Sequence, residues 1–346
     1  MARPACRSGP PGVSTSGGPA RRLGPAHWVR IAITAGLVWW LVRRTDWAAF
    51  GRTVRGIDPL FLGLSLLMTP VLIGLSAWKW QILVRARGDR ASFGTCFHLY
   101  MVGYFFNNFL PTGVGGDVVR AYLLGRRAGG PARAVASVFV ERFTGFTTLV
   151  LLVLLTAMVG PAATSDPRLR FVIGIVVVAY ALAVWIILDR RVLDGVPGFN
   201  RLPFRSKVVK LHEAIAAYRH HARALIACLG LSVLFYAGAA INILFSARAF
   251  GADVAAGQVA LVTPAIQLVS MLPVSIGGLG VAEGAFLFGL GACGVASATA
   301  LATALLIRLK GLVVGLAGAL AVAATDWPVL WRPAHLRASE QKDASL

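Results

Sequence analysis

"FFNNFLPTGVGGDVVRAY" (residues 105–122) lies between two strongly apolar stretches, yet it holds two asparagines, a proline, three glycines, an aspartate and an arginine. A helix immersed in lipid has no use for such residues. Proline and glycine break the backbone ladder, and each freed N–H or C=O then needs a partner that hydrocarbon does not offer. Backbone of this kind survives at membrane depth only where protein or a water-filled cavity surrounds it.

Composition points to lipid as the main solvent. The 346 residues are 57% hydrophobic and only 14% charged, with a mean hydropathy of +0.72, whereas a soluble domain carries about 25% charged residues. The net charge is +20, from 34 Lys and Arg against 14 Asp and Glu. Nucleic acid is not the expected partner, because the arginines flank apolar segments instead of forming a basic face between soluble elements. The positive-inside rule and attraction to anionic lipid account for them. Cys6, Cys96, Cys228 and Cys293 are far apart, with no C-x-x-C or Cys/His ligand spacing, and His98, His212, His220 and His221 show none either. No metal site, cofactor or disulfide framework is expected.

Residues 1–25 are rich in Pro, Gly, Ser and Arg without the apolar core of a secretory signal, and read as a disordered basic tail. Residues 26–325 form one transmembrane domain, and 326–346 a short cytoplasmic C-terminal tail. Spans are expected at 134–160, 171–188, 224–250, 297–324 and 59–84, the last with Pro70 as a kink and Trp78, Lys79 and Trp80 as an interfacial anchor. Residues 31–42 are apolar but short, 93–110 and 254–272 each run into a Pro/Gly motif, and 281–291 are too short to cross. The segment 190–223 holds eight Lys and Arg, and its part 205–223 has the pattern of a basic amphipathic helix on a membrane surface. That puts it and both termini in the cytoplasm of a multi-pass plasma-membrane protein, and leaves Arg43, Arg44, Arg52 and Arg55 outside, against the positive-inside rule.

A repeat gives the opening stretch a counterpart. "LPTGVGGDVVRAYLL" from Leu110 aligns with "LPVSIGGLGVAEGAF" from Leu272, so that Pro111, Gly115 and Gly116 fall on Pro273, Gly277 and Gly278 at a constant offset of 162. Each motif follows an apolar segment and precedes a short helix, then a long span with an internal arginine, Arg142 or Arg308. These arginines lie 26 and 30 residues beyond Gly116 and Gly278, a difference of about one helical turn. The expected fold is an all-α polytopic membrane protein of two inverted repeats, 59–189 and 224–325, each with a re-entrant or broken helix ending in P-x-x-x-G-G. Helices starting after the two turns aim N–H groups at the interior, where they suit a phosphate or carboxylate.

Each charged residue has a plain structural use beside a functional one. Asp117 opens a helix as an N-cap does, or handles a lipid or a proton; Arg120, one turn on, is its nearest partner. Glu141 and Arg142 are adjacent and point about 100° apart, so each needs its own partner, with an arginine of the opposite repeat expected for Glu141. Glu283 lies in a first turn, where the helix dipole favours an anion. Arg308 and Lys310 are about 200° apart on one helix, so at most one lines a common cavity. Arg308 is the repeat-matched one, which leaves Lys310 to pair or snorkel. Asn107 and Asn108 cap a broken helix or hydrogen-bond a headgroup. The expected substrate-binding set is Asn107, Asn108, Gly115, Gly116, Asp117, Arg120, Glu141, Arg142, Gly277, Gly278, Glu283 and Arg308, with no catalytic residue.

The stretches "FFNNFLPTGVGGDVVRAYLLGRR", "AVASVFVERFTG", "LPVSIGGLGVAEGAF" and "ALLIRLKGLVVG" resemble the lysylphosphatidylglycerol synthase transmembrane region, a family of flippase-like membrane proteins, and the resemblance covers residues 28–325. It implies an integral membrane domain that in some members moves aminoacylated phospholipid between leaflets. Related sequences often carry arginine before the glutamate of the second motif, where this chain has Ala282. The family's soluble aminoacyl-transferase domain is not expected in this chain, and no enzyme activity with it. The expected function is movement of a phospholipid or lipid-linked headgroup between leaflets, with membrane phospholipids as partners and a second copy or an envelope-synthesis protein as a further contact. The alternatives are an accessory subunit of cell-envelope lipid or glycan synthesis, which has no need of buried charges, and a lipid-linked transferase, for which the 14 acidic residues supply no D-x-D or D-D motif.

Overall fold

The computed structural model of the protein describes residues 25–109, 115–127, 130–159, 205–272 and 274–323, with isolated helical positions between 174 and 185. Both expected tails, most of the expected span 171–188 and the two motif prolines, Pro111 and Pro273, lie outside the described residues. The described elements are helices: α1 (Pro25–Arg44), α2 (Trp47–Arg55), α3 (Pro59–Ala86), α4 (Phe93–Phe109), α5 (Gly115–Arg127), α6 (Pro131–Val159), α7 (Arg205–Ala216), α8 (Ala222–Ala249), α9 (Ala256–Ser270), α10 (Val281–Ala292) and α11 (Ser297–Ala323). Short 3-10 turns stand at Ala217–His220 and Ile276–Gly278.

Four of these, α3, α6, α8 and α11, are long and apolar enough to cross a bilayer, and the chain is an integral membrane protein. Asp58 starts α3 by accepting the N–H groups of Leu60 (2.8 Å) and Phe61 (3.3 Å), with Pro59 at the first helical position. Hydroxyls within the spans bond the carbonyl four residues back, as Thr148 does to Thr144 and Thr303 to Thr299, so polar residues sit in apolar helices with their donors satisfied. Leu60, Leu66, Leu67 and Val71 of α3 and Leu309, Val313, Leu316 and Leu320 of α11 are exposed. In water such stripes would invite association; here they are the surface that meets acyl chains.

The order long helix, shorter helix, short helix, long helix occurs twice, in α3–α6 and in α8–α11. α3 and α8 pack together and run antiparallel: the Asp58 N–H reaches the Ala249 carbonyl (2.8 Å), Ser65 Oγ meets Ser246 Oγ (2.7 Å), and Lys79 Nζ meets Ser232 Oγ (3.3 Å). α4 and α11 pack in the same sense, with Asn108 donating to the Gly311 carbonyl (2.9 Å) and Gly318 against Met101 and Phe105. Glycine at 315 and 318 is what lets these two backbones approach, since a Cβ at either position would collide with α4.

Three expectations change. Trp78 is exposed, but Lys79 and Trp80 are buried. One helical step of about 100° carries the chain from lipid into the core, so they are not an interfacial anchor. The apolar face of 205–223 is shared with the protein: Leu211 and Ile215 pack against a cluster of Ala214, Tyr218, Leu83, Val140 and Cys228, while Val208 is exposed. The aligned glycines also have different jobs. Gly115 and Gly116 are inside α5, whereas Gly277 and Gly278 precede α10 in a turn where Gly277, Gly278 and Gly280 have φ of 59°, 69° and 82°, backbone that only glycine adopts freely. Gly116 is needed for proximity instead: a side chain there would strike the Gly103 carbonyl.

Candidate functional site

At the junction of α3, α4, α5 and α6, three cations interlock with two carboxylates. Arg120 Nη2 donates to Glu141 Oε2 (2.5 Å) and its Nε to Asp117 Oδ1 (3.0 Å). Its guanidinium lies over Tyr100 (4.4 Å to the ring centroid) and Trp80 (4.8 Å), a cation–π arrangement strengthened by exclusion of water. Tyr100 Oη donates to Glu141 Oε1 (2.7 Å), and Lys79 Nζ stands 3.6 Å from the same oxygen. Arg120 is 1% and Glu141 2% exposed, so breaking this pair would leave a buried charge, at a cost of about 3–5 kcal/mol. Arg142, its side chain 46% exposed, holds Asp117 with two bonds, Nε to Oδ2 (2.9 Å) and Nη2 to Oδ1 (2.8 Å). Asn107 ties in the helix start by accepting the Gly116 N–H (2.8 Å).

The second cluster lies on α10 and α11. Arg308 Nε donates to Glu283 Oε1 (2.5 Å), and Nη1 and Nη2 donate to the carbonyls of Gly277 and Gly278 (both 3.2 Å). Glu283 Oε2 accepts the Gly280 N–H (2.7 Å), which caps α10. Arg308 and Glu283 line a cavity of about 280 Å³ between helices of both halves, together with Asn108, Asn242, Gln267 and Ser270. Its remaining wall is largely apolar, including Leu72, Phe235 and Phe286.

The expected residues thus form two groups. Asn107, Gly115, Gly116, Asp117, Arg120, Glu141 and Arg142 gather around α5, while Asn108, Gly277, Gly278, Glu283 and Arg308 gather around the cavity. Among the described residues no hydrogen bond or ion pair joins the groups; the adjacent Asn107 and Asn108 bond one to each. Glu141 pairs with Arg120 and Lys79 of its own half, not with an arginine of the opposite one. The N–H groups at Gly116 and Gly280 are taken by Asn107 and Glu283, and the second turn offers Arg308 its carbonyls. No three His, Cys, Asp or Glu among the described residues come together as a metal site.

Residues 27–318 match the family described as the lysylphosphatidylglycerol synthase TM region. The chain belongs to that family. It is similar to two UPF0104 membrane proteins of Methanothermobacter thermautotrophicus. One is 24% identical over 280 residues, which cover 74% of this chain and 82% of the relative. The other is 26% identical over 157 residues, 43% of this chain and 45% of the relative. Both charged clusters fall within the matched family region.

Sequence reasoning missed Lys79, Trp80, Tyr100 and Asn242. One signal was available: Asp117 and Glu283 each sit in the first turn of a short helix, and each is followed 25 residues later by its arginine. That spacing aligns the acids with each other, whereas the glycine alignment does not.

Proposed function

We propose that the protein moves the anionic headgroup of a phospholipid or other lipid-linked molecule between leaflets. The observation that carries this reading is the cavity between the halves, polar at Arg308, Glu283, Asn108, Asn242, Gln267 and Ser270 and apolar elsewhere. At about 280 Å³ it has the volume of roughly nine or ten waters, enough for a headgroup and too little for acyl chains, which stay in the bilayer. Charge favours an anion. Among the described residues, Lys79, Arg120 and Arg142 face only Asp117 and Glu141, and Arg308 is paired with Glu283. Intramembrane charge is costly enough that such an excess is normally functional. The antiparallel packing of α3 with α8 supports two inverted repeats with the site between them. On this reading the basic residues of 205–223 and both termini face the cytoplasm, and the membrane is the plasma membrane.

Arg308, held by one carboxylate and two backbone carbonyls, is the group that would exchange those partners for a phosphate. Arg308→Gln, reconstituted in proteoliposomes at wild-type abundance, is expected to lose translocation of a fluorescent phospholipid, read by leaflet-selective quenching. A well-folded Arg308→Gln that moves lipid at the wild-type rate would refute the reading.

A further inference from the structure

Lys310 has no place in the anion site. It is 4% exposed and lies about 200° around α11 from Arg308, against the seam of α3 and α8. Its Nζ meets four oxygens: Ser65 Oγ (2.6 Å), Asn242 Oδ1 (2.6 Å), Ser246 Oγ (3.1 Å) and the Ser65 carbonyl (3.3 Å). All four are neutral. Among the described residues every other buried Lys, Arg, Asp or Glu has an opposite charge beside it: Lys79 has Glu141, Arg120 has Glu141 and Asp117, and Glu283 has Arg308. Lys310 has none, and no charged side chain of α3, α8, α10 or α11 acts on it; Glu283 and Arg308 are engaged with each other, and Arg248 at the end of α8 bonds the Val254 carbonyl.

The cage accommodates the amine with or without its third proton. As an ammonium it has three hydrogens for four acceptors. As a neutral amine it offers a lone pair, and the Ser65 hydroxyl can turn to donate to it, since Ser65 Oγ also lies 2.7 Å from Ser246 Oγ and 3.4 Å from Asn242 Oδ1. Ser246 keeps its own bond to the Asn242 carbonyl (2.6 Å) in either case. Asn242 both accepts from Lys310 and lines the cavity. A change in the amine therefore reaches the cavity wall through one side chain: the ammonium holds the amide oxygen at the seam by a charge-assisted bond, and the neutral amine by a weaker one.

We infer that Lys310, caged by Ser65, Asn242 and Ser246 at the contact of the two halves, is a proton-binding site that couples proton movement to the state of the cavity. The coupling to lipid movement rests on the proposed function, but the proton site does not. Buried titratable groups at the seam of two membrane repeats are where transporters bind coupling ions.

The test uses the full chain in lipid nanodiscs with carbon-13 at the lysine ε position. The chain has only five lysines, at 79, 207, 210, 310 and 342, so the Lys310 signal is assigned by its loss in Lys310→Arg. If that variant does not accumulate, the signal displaced in Ser65→Ala identifies it instead. The Lys310 signal is expected to move with pH between its ammonium and amine positions, with a midpoint that shifts in Ser65→Ala. A signal that holds one position over the whole pH range in which the chain stays folded overturns the proton site. In proteoliposomes with an imposed pH gradient, translocation of a fluorescent phospholipid is expected to follow the gradient in wild type and to ignore it in Lys310→Arg and Lys310→Met. Wild-type translocation that ignores the gradient overturns the coupling. A titrating Lys310 in a protein that moves no lipid sinks the proposed function while leaving the proton site standing.

Discussion

Arg142 grips Asp117 through both carboxylate oxygens, and the same 25-residue spacing joins Arg308 to Glu283 in the other half. The two pairs differ in exposure: the Arg142 and Asp117 side chains are 46% and 14% exposed, those of Arg308 and Glu283 26% and 3%. An exposed pair contributes about 0–1 kcal/mol, while removing one partner of a buried pair costs about 3–5 kcal/mol. Glu283→Gln is therefore expected to lower the thermal unfolding midpoint in detergent well beyond Arg142→Gln, which leaves Asp117 its bond to Arg120. Equal losses would mean that exposure does not separate the two sites.

Arg120 is held by geometry as much as by charge. Its planar head lies over two aromatic rings while bonding two different carboxylates. A lysine keeps the charge but loses the fork and the stacking. Arg120→Lys is expected to destabilise the protein by about 2–3 kcal/mol, since a charge-assisted bond contributes about 1.5–3 kcal/mol. Denaturation of the purified variant in mild detergent checks this, and a wild-type midpoint would refute it.

How much of this was readable in the sequence follows from what each feature depends on. The long spans depend on length and hydropathy, so α3, α6, α8 and α11 appear within a few residues of their expected positions. The pairing of Asp117 with Arg120 depends on one helical turn, and it also was legible. Which face of α3 is buried depends on what packs against it, and an apolar helix carries no stripe to reveal that. Lys79 and Trp80 therefore read as membrane anchors when they are core residues. Likewise the partner of Glu141 comes from α3 and α5 at once, a convergence that no local spacing encodes. The two G-G pairs looked equivalent because glycine serves both positive φ and close approach, and the letters do not say which.

The two uses of glycine can be separated. Gly116→Ala puts a methyl group into the Gly103 carbonyl, with rigid backbone at the closest approach and the Asn107 side chain beside it. Gly284, in the other short helix, has no atom within 4 Å of such a methyl. Gly116→Ala is expected to reduce folded protein in membranes by several-fold, consistent with a loss of about 1–3 kcal/mol for overpacking. Gly284→Ala is expected to leave abundance unchanged. Equal abundance of the two, by fluorescence-detected size exclusion, would contradict the close contact of α4 and α5.

Tyr218 gives a pH-dependent prediction. Its hydroxyl donates to the Leu83 carbonyl (3.1 Å) from the 3-10 turn after α7, and Arg87 lies over its ring. Burial raises its pKa above the usual tyrosine range, against the lowering effect of Arg87. A raised folded pKa favours the protonated form in the native state, so the contribution is complete below the unfolded value of about 10 and declines as pH rises above it. Tyr218→Phe is expected to cost about 1 kcal/mol at neutral pH, and the gap to wild type should narrow at alkaline pH. A gap that widens with pH would reverse the sign of the argument.

The antiparallel contact of α3 with α8 makes the last prediction a matter of sides. Ser65 meets Ser246 near one end of the pair and Lys79 meets Ser232 toward the other, so α3 and α8 run in opposite directions. If the halves are inverted repeats, the segments that follow α4 and α9 in sequence open toward opposite faces of the membrane. In sequence Thr112 lies between α4 and α5 and Val274 between α9 and α10, and Val274 is exposed. The native Cys6, Cys96, Cys228 and Cys293 would first be replaced. Single cysteines in place of Thr112 and Val274 are then expected to react with an impermeant maleimide added to right-side-out and inside-out vesicles respectively, or the reverse, but never both in the same preparation. Labelling of both from one side would mean that the halves are related by an axis along the membrane normal, and the antiparallel pair would then need another origin than inversion.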